Sequence, residues 1–322
     1  RIFVRKKRLH TKSMRALFLP NLHPSLASRC RITIANPGLN KIEVLRMKNI
    51  GIIGFGNMGS SLAERIKSAY KVYVFDKDNS KTRNLSRIET SRDIPGLVKC
   101  SDVVILAVKP QDFAGVLAEI KDWIGAKLVI SIAAGITTNH IEKALGRGSR
   151  VIRVMPNMPA KIAQGISCLS RSGLASKKDL ELADTLFTYL GKTVKIKEEL
   201  MNSATAVSGS GPAYVLRHLE SERVNIHRIP REKKSLFLND FQKSAQGVGF
   251  TFGQAKVLTE AVFSGTVSFL KKTKIAPGEL IKQVASKGGT TEAALKVLDS
   301  GGSLDQAVKA AKARADELSG KD

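Results

Sequence analysis

From Lys48 onward, short apolar runs alternate with stretches of helical periodicity. KNIGIIGFG is followed by SSLAERIKSA, KVYVFD, VVILAVKP, FAGVLAEIKDWI, KLVISIAAG, IEKALG and RVIRVMP. The strand-like runs are rich in Val and Ile and nearly free of polar residues, as strands buried on both faces are. Strands alternating with helices predict βαβ units and a mostly parallel, doubly wound sheet covered by helices. This pattern extends to about residue 198.

After Glu199 the strand signal disappears. FLNDFQKSAQGVG, FGQAKVLTEAVFSGTVSFLKK, PGELIKQVAS, TEAALKVLDS and SLDQAVKAAKARADELSG place apolar residues at helical spacing, which predicts a second, all-helical domain over 199–322. A small helical domain with this many apolar faces is suited to packing against a copy of itself. One segment breaks the pattern. Residues 216–235, LRHLESERVNIHRIPREKKS, are charged, contain Pro230, and separate Tyr214-Val215 from a helix expected to begin near Leu236. They read as an inserted excursion.

Residues 1–47 show no periodicity and contain Pro20, Pro24 and Pro37. The stretch from Met14, MRALFLPNLHPSLASRCRIT, is basic and acid-free, as organellar transit segments are. The alternative is that the mature fold starts at Met47, directly before the first strand. The second reading is preferred, with a cytoplasmic location.

Composition changes this picture little. The 322 residues suit two domains, and 43% are hydrophobic, ample for burial. No apolar run approaches the roughly 18 residues of a membrane span. The net charge of +25 raises nucleic acid as a partner. However, residues 1–46 hold eleven Lys/Arg against Glu43 alone, and 216–235 hold six against three acids. The rest is scattered along helices, so neither nucleic acid nor a membrane is expected to bind. Cys30, Cys100 and Cys168 lack metal-ligand or paired spacing, which predicts no metal site and free thiols.

The chemistry starts at Gly54-Phe55-Gly56-Asn57-Met58-Gly59. The GxGxxG spacing directly follows an apolar strand and opens a helix, the context a dinucleotide-binding loop requires. The first glycine permits the turn, the second lets backbone approach a pyrophosphate, and the third lets helix pack on strand. The helix N-terminus supplies N–H donors and a positive dipole end. Asp76 ends the second strand, where an acid accepts hydrogen bonds from the adenosine ribose and disfavours a 2′-phosphate. Lys77, Lys81 and Arg83 follow at once, so NADH and NADPH both remain open. Ala107-Val108-Lys109-Pro110 closes the next strand at the carboxyl edge where ligands of such sheets bind. Lys109 there is a candidate for cofactor ribose or phosphate. Ala133-Ala134-Gly135 offers small residues beside a nicotinamide, and Asn157 is placed either to orient its carboxamide or to shape its own loop.

Two polar, small-residue loops interrupt the helical half: Ser208-Gly209-Ser210-Gly211-Pro212 and Ser286-Lys287-Gly288-Gly289-Thr290-Thr291. Glycines and hydroxyl residues at a helix start form a nest of N–H groups suited to a carboxylate. Plain N-capping by Ser210 or Thr290 is the competing reading. The histidines are His10, His23, His140, His218 and His227, and four of the five lie in the two atypical segments. Histidine-dependent alcohol chemistry is therefore unsupported. A protonated imine already accepts hydride and needs chiefly to be positioned.

From Lys48 to the C-terminus the chain resembles the pyrroline-5-carboxylate reductase family, on the strings IGIIGFGNMGSSLA, VVILAVKP, VISIAAGIT, RVIRVMPNMPA, AVSGSGPAYV and SKGGTTEAALKVL. The resemblance implies reduction of 1-pyrroline-5-carboxylate to L-proline by NAD(P)H, the last step of proline biosynthesis. It also implies a homodimer, or a higher oligomer, built through the helical domain. By the same resemblance the Ser286–Thr291 loop holds the substrate carboxylate and Thr291 lies nearest the ring nitrogen. Thr205 and Ser208–Gly211 line the same pocket. The chain departs from the family at Lys287, where Pro is usual, at Met158, where Thr is common, and at 216–235, which splits a helix that the family keeps whole.

Overall fold

The computed structural model describes residues 48–146 and 148–320. The basic segment 1–47, with its proposed start at Met47, lies outside the described residues.

An eight-stranded sheet forms the first half. Its strands are β1 (Asn49–Ile53), β2 (Lys71–Phe75), β3 (Glu89–Thr90), β4 (Val103–Leu106), β5 (Leu128–Ser131), β6 (Arg150–Met155), β7 (Gly165–Arg171) and β8 (Gly191–Lys195). The order is β3-β2-β1-β4-β5-β6-β7-β8, and only β6–β7 pairs antiparallel. Five helices cover it: α1 (Asn57–Ile66), α2 (Ile94–Cys100), α3 (Pro110–Ile124), α4 (Thr138–Leu145) and α5 (Lys177–Thr188). The two faces carry separate apolar layers. Ile52, Val74, Ile105 and Ile130 pack with α1 and α5 residues on one side, while Ile53, Val104, Leu106 and Val129 pack with α2, α3 and α4 residues on the other. Consecutive residues of one strand therefore feed opposite cores, which is why these strands read as unbroken apolar runs.

The chain leaves the sheet through Glu198, whose carboxylate is tied to three elements. One oxygen accepts from Arg153 Nη1 on β6 at 3.0 Å and from the Thr138 N–H of α4 at 3.2 Å, and the other takes the Ser170 hydroxyl of β7. Arg153 is buried, so this pairing satisfies a charge that would otherwise be costly inside the fold.

Beyond this joint only helices occur among the described residues: α6 (Met201–Ala204), a π-helical turn over Thr205–Gly209, α7 (Gly211–Ser221), α8 (Arg231–Gly247), α9 (Phe252–Thr273), α10 (Pro277–Val284), α11 (Thr290–Asp299) and α12 (Leu304–Ser319). Their apolar core includes Ile166 and Cys168 of β7, so it continues into the sheet. No described helix is long and apolar enough to cross a membrane.

The structure revises the reading of residues 216–235. Helix α7 continues through Ser221 and α8 already starts at Arg231, so only residues 222–230 form a connection. Leu216 and Leu219 are buried, and the His218 ring stacks on Phe237 at 4.5 Å. Burial lowers the His218 pKa. The charged residues face outward, with Arg217 paired to Asp299 and Lys233 to Glu222. The segment is charged on one face and apolar on the other, which composition alone conceals.

Candidate active site

The glycine loop joins β1 to α1, and its three glycines have different surroundings. Gly54 adopts φ +98°, and a Cβ on it would press into the carbonyl of Ala107. A Cβ on Gly59 would collide with the carbonyl oxygen of Gly54. Gly56 faces open space, with nothing within 4 Å of a Cβ placed there. No side chain caps α1 at Gly56, so its first-turn N–H groups are left for a ligand. These features fit a pyrophosphate: two glycines let the loop close and the third keeps its outer face clear.

Asp76 does more than the sequence suggests. Its Oδ2 accepts the Phe55 N–H at 2.7 Å, and Oδ1 accepts the Asp78 N–H at 2.9 Å and Lys81 Nζ at 3.2 Å. Burial raises this carboxyl's pKa, but the two N–H groups and Lys81 outweigh it, and the pKa falls below the ordinary value. The acid thus tethers the glycine loop to the end of β2. Lys77 is paired with Asp112 at 2.8 Å.

A cleft of about 660 Å³ runs along this edge, lined by Gly54, Gly56, Asp76, Ala107, Val108 and Lys109 among others. Gln111, Asp112 and Glu119 of α3 also line it. An exposed polar helix face carries no signal in the sequence that would distinguish these three.

A second cavity, of about 320 Å³, takes Asn57 and Met58 from the start of α1, Asn157 from the end of β6, and Thr205, Gly209, Ser286, Thr290 and Thr291 from the helical half. Asn157 Oδ1 accepts the Ile166 N–H at 2.9 Å and so shapes its own turn. Its Nδ2 is buried without a hydrogen-bond partner, while the residue itself contributes to the cavity lining. Of the two roles offered by the sequence, the shaping of its own loop is the one this bond shows. Ala134, Met155, Lys161, Gln283 and Val284 line this cavity as well. Nothing in the local sequence around Lys161 or Gln283 set them apart from surface residues.

Other predicted residues lie behind these walls. Phe55 is buried and contributes its N–H to Asp76, Gly59 packs against the loop, Pro110 starts α3, and Ala133 is buried in the sheet core. Ser208 is fully buried and donates to the Ala204 carbonyl at 2.8 Å. The predicted Ser208–Pro212 loop is helical: the Ser210 N–H reaches the Thr205 carbonyl, five residues back, at 2.9 Å. Such π-turns widen a helix and recur at functional sites. Neither Ser210 nor Thr290 caps a helix with its side chain. Instead the Ser210 hydroxyl lies 3.0 Å from Thr290 Oγ1 and accepts from Thr291 Oγ1 at 3.0 Å.

The loop before α11 is held from both sides. Gly288, at φ +70°, donates its N–H to Glu292 Oε2 at 2.5 Å, and its carbonyl accepts from Arg314 Nε at 2.7 Å. Gly289 N–H turns back to the Ser286 carbonyl at 2.9 Å. Glu292, stabilised first by the Gly288 N–H and then by Lys296, has a lowered pKa. The nest expected to meet a carboxylate therefore has one donor already taken by the chain's own acid.

A parallel sheet with an uncapped glycine-loop helix, feeding a second cavity formed with a helical half, defines a nicotinamide-dinucleotide oxidoreductase. The family described as NADP oxidoreductase coenzyme F420-dependent matches residues 49–135, and that described as pyrroline-5-carboxylate reductase dimerisation matches residues 235–318. The second match begins where the atypical segment ends. A pyrroline-5-carboxylate reductase of Aquifex aeolicus is 32% identical over 80% of this chain and 91% of its own length. One from Bacillus subtilis is 33% identical over 78% and 87%. The solved pyrroline-5-carboxylate reductase of Coxiella burnetii is 32% identical, covering 85% of this chain and 99% of that one, with a TM-score of 0.57. That of Plasmodium falciparum, with NADP bound, is 25% identical over 85% and 97%, with a TM-score of 0.54. The chain belongs to the pyrroline-5-carboxylate reductase family.

Proposed function

We propose that this chain reduces 1-pyrroline-5-carboxylate to L-proline with a nicotinamide dinucleotide bound along β1, α1 and β4. The observation that carries this is the second cavity, where the glycine-loop helix and the Thr290–Thr291 helix start share one small chamber. When bound, the dinucleotide supplies a hydride. Gly54–Gly59 hold its pyrophosphate, Asp76 and Lys109 flank the adenosine side, and Asn57, Met58, Ala134 and Asn157 surround the nicotinamide end. Thr205, Gly209, Ser286, Thr290 and Thr291 enclose the cyclic imine, with the uncapped start of α11 toward its carboxylate. Residues 48–198 are the cofactor half and 199–322 the substrate half. NAD(P)H oxidation on adding pyrroline-5-carboxylate tests this. Cofactor binding without turnover would leave only a dinucleotide-binding homologue.

Among the two dinucleotides NADH is favoured. Lys81 is engaged by Asp76 and Lys77 by Asp112, so a 2′-phosphate would meet an acid and, of the three nearby cations, could take these two only by breaking a pair. The ratio of kcat/KM for the two cofactors, before and after Asp76→Ser, decides this.

The helical half is the proposed homodimer contact. Leu236, Phe252 and Val257 stand exposed on α8 and α9. Light scattering on Phe252→Glu should report a smaller particle, and an unchanged mass would move the contact elsewhere.

A further inference from the structure

Between α10 and α11 the chain turns at Ser286–Gly289. The Gly289 N–H donates to the Ser286 carbonyl, three positions back, at 2.9 Å, and Gly288 adopts φ +70°. Lys287 is not among the residues with positive φ. A closure of this span with a left-handed residue only at its third position is a type II turn, with Lys287 second and Gly288 third. Proline is common at the second position because its ring sets φ in advance. A lysine there sets nothing, so ordering this turn removes more chain freedom than ordering one that contains proline.

Two side chains from outside the turn hold it instead. Glu292 accepts the Gly288 N–H, and Arg314 Nε donates to the Gly288 carbonyl at 2.7 Å. Both peptide groups that flank the Gly288 Cα are thereby held. Glu292 belongs to α11, which begins at Thr290, so it travels with the loop. Arg314 comes from α12, 26 positions away in sequence, and that helix is anchored independently. Its Ala307, Val308, Ala311 and Ala315 are buried, and Asp316 accepts from Asn202 Nδ2 of α6 at 2.8 Å. Glu317 pairs with Arg314 Nη1 at 2.6 Å, a second hold on the guanidinium. Ser286, Thr290 and Thr291, on either side of the held peptide, line the second cavity.

We propose that Arg314 is a positioning residue for the substrate loop: from α12 it holds the Gly288 peptide in the turn conformation that Lys287, lacking a proline ring, does not set in advance.

This rests on the second cavity being the substrate site. Arg314 is not among the described residues that line it, so its influence on the imine runs through Ser286, Thr290 and Thr291. Without Arg314 the turn samples other conformers, and substrate binding has to order it. That cost falls on the binding of the imine. Hydride transfer within the ordered complex is spared, so KM rises more than kcat falls. The dinucleotide cleft is lined by other elements, β1, β2, β4 and α3, and its affinity for cofactor does not depend on this turn.

The test is steady-state kinetics of the full chain and of Arg314→Ala, each with position 287 natural, changed by Lys287→Pro, or changed by Lys287→Gln. Dinucleotide Kd by fluorescence and thermal melting accompany every variant. Arg314→Ala should raise the KM for the imine about fivefold, the scale of one exposed charge-assisted contact, with the smaller change in kcat and none in dinucleotide Kd. The Lys287 N–H makes no hydrogen bond among the described residues, so a proline there removes none. In the Arg314→Ala background Lys287→Pro should recover about threefold of the loss, the scale of freedom one proline takes from a loop. In the natural chain, where the turn is already held, it should gain little. Lys287→Gln removes the charge without adding a ring and should recover nothing. No recovery by proline, an equal proline effect in both backgrounds, or a parallel rise in dinucleotide Kd overturns the proposal. Normal turnover with an unmoved KM in Arg314→Ala overturns the role of Arg314 alone. Dinucleotide binding without imine turnover by the natural chain overturns the substrate-site reading beneath it. Arg314→Gln, closer in shape, carries the same comparison if Arg314→Ala loses its melting transition.

Discussion

The loops Gly54–Gly59 and Ser286–Thr291 are built from the same parts and finished differently. Each brings glycine to a helix start that no side chain caps. In the first, the face around Gly56 is left open. In the second, Glu292 takes the Gly288 N–H, Arg314 donates to its carbonyl, and Ser210 accepts the Thr291 hydroxyl. A pyrophosphate is a large, diffuse anion that any outward N–H can serve. The first loop keeps its outer face clear, whereas the second is held by the chain's own side chains.

Four substitutions probe that contrast, in descending order of effect. Gly59→Val places branched bulk where even a Cβ strikes the Gly54 carbonyl, and fluorescence titration should find dinucleotide binding abolished. Binding close to the natural affinity would mean the loop is more compliant than its packing implies. Asp76→Asn keeps the shape but weakens the tether to Phe55 and Lys81, and dinucleotide Kd should rise about 10-fold, by loss of charge-assisted bonds. Its pH behaviour has a definite sign. The folded-state pKa lies below the ordinary 3.8, so the carboxylate stabilises the fold above that value and the benefit is lost as pH falls through the folded pKa. Acid melting curves of Asp76→Asn should therefore be shallower than those of the natural chain below about pH 4.

Gly288→Ala asks a residue with a Cβ to hold φ +70°. It should cost about 1 kcal/mol of stability and raise the KM for the imine while leaving cofactor binding unchanged. A matching rise in cofactor Kd would show that the loops are not independent. The smallest effect belongs to Glu292→Gln. The amide still accepts from the Gly288 N–H, so the KM for the imine should shift only about threefold, about the size of exchanging a charged acceptor for a neutral one. A much larger shift would mean the acid governs substrate charge directly.

What could be read from sequence follows from how each element satisfies its polar groups. The glycine loop and the strands β1, β2, β4, β5 and β6 stand out because they are apolar on both faces. Strand β3, two residues with exposed side chains, offers no pattern. Strand β7 hides behind Ser167 and Ser170, polar residues that are nevertheless buried, one of them against Glu198. The SGSGP string looks like a loop because small polar residues usually are. Here Thr205 and Ser208 return their hydroxyls to carbonyls one turn back, at 3.0 and 2.8 Å, and so remain inside a helix. The partners of Asp76 and Ser210 were invisible for a different reason. Phe55 lies 21 positions from Asp76 and Thr291 lies 81 from Ser210, distances that only folding closes.

The Glu198 joint has a mechanical consequence. A chain that passes from sheet to helices through a buried arginine–carboxylate knot, with an apolar core continuous across it, has no soft hinge there. The two halves should melt as a single cooperative transition in calorimetry. Cutting the knot with Arg153→Met should split that transition before it alters the chemistry. Registration between hydride donor and acceptor is then a property of the folded scaffold, fixed before either molecule arrives.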